Sequence, residues 1–246
     1  MILRTRTFFL LNSLLIVLAG CGSDEPTSED YDDIASGLAP VVATNVQANV
    51  ELAVELATGA TPLSVSVEAD GSYGGSYGGL DVQVALSCTD AGGESLAICD
   101  ESTDAASVEG SFSGDLEIGG WSGNLGATAE WQIAGLTSDT VRATGSAAVH
   151  AESDFQSLLT SIERSYMLDV DAEYDLTLDR ATLVPTSGSA SASVQASRFA
   201  SSSRSTSEAE FSVDAELTFE GNTAVLVLDG SATYRLDLDA GTASRM

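Results

Sequence analysis

Apolar residues recur at every second position over most of this chain. Leu80, Val82, Val84, Leu86 and Cys88 share one phase, as do Leu63, Val65, Val67 and Ala69 before them. The same alternation runs through residues 106–118, 125–133, 141–151, 166–178, 190–196, 209–219 and 224–238, which makes nine strands. Strict apolar-in, polar-out alternation separated by turns belongs to antiparallel sheets with one wet face. Three stretches break the pattern. A helix is expected over residues 31–38, capped by Ser28 or Asp30, with Asp32 and Asp33 in its first turn and Pro40 limiting its extent. Over residues 46–57 every even position is apolar, which suits a strand. Val46, Val50 and Val54 also form a helix face, and the Ala, Glu and Leu content with Gly59 as C-cap favours helix. Phe155, Leu158, Leu159 and Ile162 follow a Ser153 to Gln156 capping box and predict a short inserted helix. The fold class expected is mostly β: an antiparallel meander forming a curved sheet or open barrel, with one or two helices near the N-terminus. A two-sheet β-sandwich is the alternative.

Two turn signals refine this. The repeated Ser72-Tyr73-Gly74-Gly75 and Ser76-Tyr77-Gly78-Gly79 predict a long hairpin tip, and the serines of residues 201–207 a second loop. Gly221-Asn222 suits a two-residue turn with a positive φ at its first position, which fixes a register. Glu220 then faces Thr223, Leu217 faces Leu226, Ala215 faces Leu228 and Phe211 faces Ala232. On the wet side Glu208 meets Arg235, while Asp214 opposes Asp229, a repulsion to be screened by solvent or relieved by a shared cation.

The first residues follow a different plan. Arg4 and Arg6 precede an apolar run over residues 8–18, broken by Asn12 and Ser13, and Ala19 and Gly20 lead to Cys21. That order is a secretory signal, and its apolar run is about half the roughly 20 residues a spanning helix needs. Leu18-Ala19-Gly20-Cys21 resembles the lipobox of bacterial lipoprotein precursors. The resemblance covers the signal alone. It implies a diacylglyceryl group on the Cys21 thiol, cleavage before Cys21 and acylation of the new amino group. Gly22, where an Asp would favour inner-membrane retention, implies the outer membrane. The expected layout is a signal peptide over 1–20, a polar tether over 21–30 and one acidic β domain over 31–246.

Composition narrows the chemistry. All 37 Asp and Glu follow Cys21 while two of the nine basic residues precede it, leaving seven against 37, a formal charge of −30. Such a surface repels phosphate backbones, so nucleic acid is not an expected partner. Every basic residue is arginine, and without lysine there is no Walker loop, Schiff base or Ser-Lys dyad. His150 is the single histidine, and with Cys21 spent on lipid, zinc sites built from several His or Cys ligands are excluded. Cys88 and Cys99 flank a turn-rich stretch with Gly92-Gly93 and predict a disulfide closing a surface loop.

The densest acidic run is Asp169, Asp171, Glu173 and Asp175, continued by Asp179. As a calcium loop it fails, since Tyr174 stands at the required glycine and Arg180 at the bidentate Glu. Alternation makes it a solvated row, with a weak cation site between acidic strands left open. His150 lies near Glu152, Asp154 and many serines, but the chain has no Gly-x-Ser-x-Gly elbow. The paired tyrosines of the glycine repeat are explained by hairpin geometry before ligand stacking. No catalytic residue, metal ligand or cofactor is therefore expected. The expected function is a lipid-anchored envelope protein with a non-enzymatic structural or interaction role, whose partners are the membrane and a protein or cation. A carrier or sensor of a hydrophobic ligand comes second, with helices filling a curved sheet, and an extracytoplasmic hydrolase third.

Overall fold

The computed structural model describes residues 25–62, 64–118, 121–156, 163–201 and 206–246. The alternating segments build one antiparallel sheet, and its strands follow one another in space almost as they do in sequence. They are β1 (Val65–Val67), β2 (Tyr73–Tyr77), β3 (Leu80–Asp90), β4 (Ser95–Leu96), β5 (Thr103–Ile118), β6 (Trp121–Ala134) and β7 (Thr140–Gln156). After these come β8 (Glu163–Asp179), β9 (Pro185–Ser201), β10 (Thr206–Glu220), β11 (Thr223–Leu228), β12 (Ala232–Asp237) and β13 (Thr242–Arg245). Only β4 leaves the path, pairing with β3 alone. The sheet is a curved meander and does not close.

Its concave side is filled by the N-terminal helix. α1 (Ser28–Thr44) passes through a π-helical turn (Asn45–Glu51) into α2 (Leu52–Ala57). The helix expected over 46–57 is therefore present, and Pro40 does not stop α1. An internal proline costs about 3 kcal/mol. Ile34, Leu38, Val41, Val42, Val46 and Val50 are all buried on both sides of it, at roughly 1.5–3 kcal/mol per large apolar side chain, so packing outweighs the break. α1 lies against β6, β7, β12 and β13, and α2 against β3 and β5. The cap is Thr27, not Ser28 or Asp30. Its hydroxyl accepts the Asp30 N–H while the Asp30 carboxylate accepts the Thr27 N–H at 2.8 Å, a reciprocal capping box.

The expected turn at Gly221-Asn222 forms, with Gly221 at φ 62° and Glu220, Leu217 and Ala215 opposite Thr223, Leu226 and Leu228. A one-residue slip would turn the apolar face to water. The register ends there. Asp229, at φ 47°, and Gly230 form a second turn, so the strand expected over 224–238 divides into β11 and β12. Phe211 consequently does not face Ala232, and Arg235 pairs with Val225 rather than Glu208. Asp214 and Asp229 do meet, the Asp229 N–H donating to the Asp214 carbonyl at 2.8 Å, but no cation is called for, since the Asp229 carboxylate takes the Asp214 N–H at 2.9 Å.

Two other expectations change. The tyrosine-glycine repeat is not all hairpin tip, because Tyr73–Tyr77 forms β2 and only Gly78 and Gly79 turn. Ser153 to Gln156, expected to open a short helix, instead continue β7, with Ser153 and Gln156 opposite Tyr166 and Glu163 in the β7–β8 ladder, and residues 157–162 lie outside the described residues. Extended strand pairing wins over a local side-chain cap because each residue there gains a ladder partner. Leu158, Leu159 and Ile162 lie outside the described residues, as does Leu63. The first strand is short: Val65 is buried and Val67 exposed. Cys88 and Cys99 are joined, with Cα atoms 5.5 Å apart. Closing a loop of about a dozen residues contributes roughly 3 kcal/mol on the chain-entropy model.

Candidate functional site

The acids of the first helical turn fasten α1 to the sheet. Glu29 takes Arg164 at 2.6 Å, Asp33 takes the same guanidinium at 3.3 Å, and Asp30 takes Arg198 and the Tyr166 hydroxyl, the latter at 2.8 Å. Asp32 accepts from the Tyr234 hydroxyl at 2.6 Å and from Arg245 at 3.1 Å. Tyr31 donates to Asp229 Oδ2 at 2.7 Å, and that carboxylate pushes its phenol up to about 12. Burial pushes the Asp33 carboxyl up against the pull of Tyr166 and Arg164. Strands β8, β9, β12 and β13 thus converge on one helix end.

On the opposite face of the same strands the outward side chains form rows. Paired neighbours from β5 to β10 read Asp115, Asn124, Glu152, Met167, Ser197, Glu210; one step along the strands lies Ser113, Gly126, His150, Asp169, Gln195, Ser212. The expected acidic row of β8 is solvated as foreseen, and several members have partners. Arg142 grips both oxygens of Asp175 at 3.0 and 2.9 Å, and Asp179 accepts the Ala181 and Thr182 N–H groups in the following turn. Among the described residues no group of three or more His, Cys, Asp and Glu is placed to hold a metal ion.

His150 lies between two carboxylates, its Nδ1 2.6 Å from Asp169 Oδ1 and its Nε2 3.4 Å from Glu152 Oε1. That is the setting of a paired surface cation rather than of a base facing a serine. Asp169 holds the imidazolium above its ordinary value, burial opposes this, and Glu152 adds to it. The pair therefore stabilises the fold below the ordinary histidine pKa and is lost as pH rises through the raised one. As the single histidine, its ring resonances need no assignment. We expect their NMR titration midpoint above the usual 6.5 or so, and Asp169→Asn to bring it back down.

A groove of about 760 Å³ opens on the outer face at the end where α1 is fastened. Met167 and Phe199 form its floor, 41% and 43% exposed, and Glu152, Glu208 and Glu210 stand on its margins. Tyr166 and Arg198 also reach the lining, so the strand segments that hold Asp30 inside present Met167 and Phe199 outside. Sequence reasoning passed over both residues. The signal was available, for each is a large apolar side chain in the polar phase of its strand.

No known family model, curated protein or solved structure matches the chain. Among the described residues no helix is long and apolar enough to cross a membrane. Cys21 lies outside the described residues.

Proposed function

We propose that the chain is a lipid-anchored envelope protein whose acidic sheet face has a non-enzymatic interaction role. The observation that carries this is the contrast between the two faces of the sheet. The concave face is packed by the chain's own helix, with Ile34, Leu38, Leu52 and Leu56 buried against it. The outer face carries the exposed polar rows and the groove. That filling also weighs against a carrier, which needs the concave side for its ligand.

The anchored part of the reading rests on Leu18-Ala19-Gly20-Cys21, with Gly22 favouring the outer membrane. Several acyl chains bury many methylenes at about 0.8 kcal/mol each, enough to hold the protein at a bilayer. The intact mass of detergent-extracted protein should correspond to a chain beginning at acylated Cys21. Cys21→Ser should stay unprocessed and lose the acyl mass. Acylation elsewhere, or a Cys21→Ser protein processed and membrane-held like the original, overturns the reading.

A further inference from the structure

We infer that the groove over Met167 and Phe199 docks a basic amphipathic segment of a partner polypeptide, an inference that rests on the interaction role proposed above. Met167 opposes Ser197 and Phe199 opposes Ser165, so the two apolar side chains are diagonal neighbours across β8 and β9. Diagonal pairs lie about 7–8 Å apart, within reach of each other, and make one apolar strip. The small serines beside them leave that strip open.

Both margins are acidic. Glu152 flanks Met167 on β7, and Glu208 and Glu210 flank Phe199 and Ser197 on β10. Asp115 and Glu117 extend the acidic side across β5. Glu152 and Glu210 are three strand spacings apart, about 14 Å, which spans a helix of about 10–12 Å diameter. Among the described residues the one cation in the lining, Arg198, is already held by Asp30, and of the groove's acids His150 beside the lining reaches Glu152 alone, at 3.4 Å, which leaves Glu208 and Glu210 as the acids that carry the attraction.

The matching ligand has an apolar stripe for Met167 and Phe199 and Arg or Lys on both flanks for the glutamates. Met is suited to such a role because its flexible thioether adapts to different apolar partners. An anionic bilayer surface fits less well, since the margins would repel it. The position suits a partner at the membrane. From Cys21 to Thr27 the chain spans at most about 20 Å, so the groove stays close to the proposed anchor.

The test uses the mature acylated protein in phosphatidylcholine nanodiscs, with empty nanodiscs as the blank. A labelled helix-forming peptide with a leucine stripe flanked by arginines is titrated and followed by fluorescence anisotropy. Met167→Ser/Phe199→Ser and Glu208→Gln/Glu210→Gln should each weaken binding by about tenfold, a hot-spot effect. Glu109→Gln/Glu130→Gln removes the same charge from an exposed pair of β5 and β6 outside the groove and should change it less than about twofold. All substituted side chains are exposed or half-exposed, and unchanged melting temperatures verify the fold. Equal losses in the control pair would make the attraction diffuse and overturn the inference, as would binding indifferent to the groove variants. Full-chain Cys21→Ser protein that floats with phosphatidylglycerol vesicles, and stops floating on Met167→Ser/Phe199→Ser, would make a membrane the occupant instead. An acylated protein that binds no peptide overturns the groove inference alone; a protein without acyl mass overturns the anchored reading whatever the peptide does.

Discussion

Asp30→Ala is expected to destabilise the domain by about 3–5 kcal/mol, read as a lower urea midpoint at unchanged slope. Asp30 is 1% exposed, yet its carboxylate serves four donors: the Thr27 N–H and hydroxyl, the Tyr166 hydroxyl and Arg198. Removing it halves the helix cap, takes one acceptor from the buried Tyr166 hydroxyl and leaves a largely buried guanidinium unpaired. Tyr166→Phe removes one donor and leaves the ion pair, so it should cost no more than about 1.5 kcal/mol. The pH dependence has a definite sign. Burial pushes the Asp30 carboxyl up, but the bonds from Thr27, Tyr166 and Arg198 outweigh it and hold it below its ordinary value. Its stabilisation is therefore present above the unfolded carboxylate pKa and is lost as pH falls through the lowered one. Asp30→Ala should flatten the acid limb of the stability curve as well as lower the plateau.

Trp131→Ala should cost a similar amount, about 3–5 kcal/mol, because it empties the largest fully buried side chain of the core. The indole lies against Tyr174, with ring centroids 5.3 Å apart, and Tyr174 in turn meets Phe219 at 6.4 Å. Its place depends on Gly145, its cross-strand partner on β7. A Cβ there would sit 2.8 Å from the indole and 2.2 Å from the Glu130 carbonyl oxygen, so only glycine allows the close approach. Among the described residues the buried Nε1–H has no hydrogen-bond partner. Trp131→Phe removes that orphaned donor along with part of the ring, and the two effects oppose. A loss of about 1 kcal/mol or less is expected, and a phenylalanine variant as damaged as the alanine one would refute this account of the indole.

What could be read from the sequence followed period. Alternation identified the sheet and its wet face because a strand's side chains obey a strict two-residue rule, and Gly221-Asn222 fixed a register because few turns accept it. The register stops after the Asp214–Asp229 pair, because Asp229 has the alternation of an outward carboxylate yet opens a turn and bonds Tyr31 and the Asp214 amide. The features missed were out-of-phase residues. Arg164 and Arg198 continue the inward phases of β8 and β9, and a charge pointing into a core needs an acid, which the first turn of α1 supplies. Met167 and Phe199 are the mirror case. The Thr27-Ser28-Glu29-Asp30 capping signature was equally present, but choosing among neighbouring caps needs the helix end, which tertiary contacts decide.

The ion pair between Asp32 and Arg245 joins residues 213 positions apart. α1 is made first, while β12 and β13, which hold one side of it, are made last. A chain leaving the ribosome from its N-terminus can zip hairpins one after another, since neighbours in sequence are neighbours in the sheet. It cannot bury Ile34 and Leu38 until the final strands arrive to complete the wall around them. Until then the helix is an exposed apolar surface, so folding must be late and all-or-none at its last step. On the proposed envelope reading, in which the chain is threaded across a membrane before it folds, that delay would keep it loose for as long as transport requires.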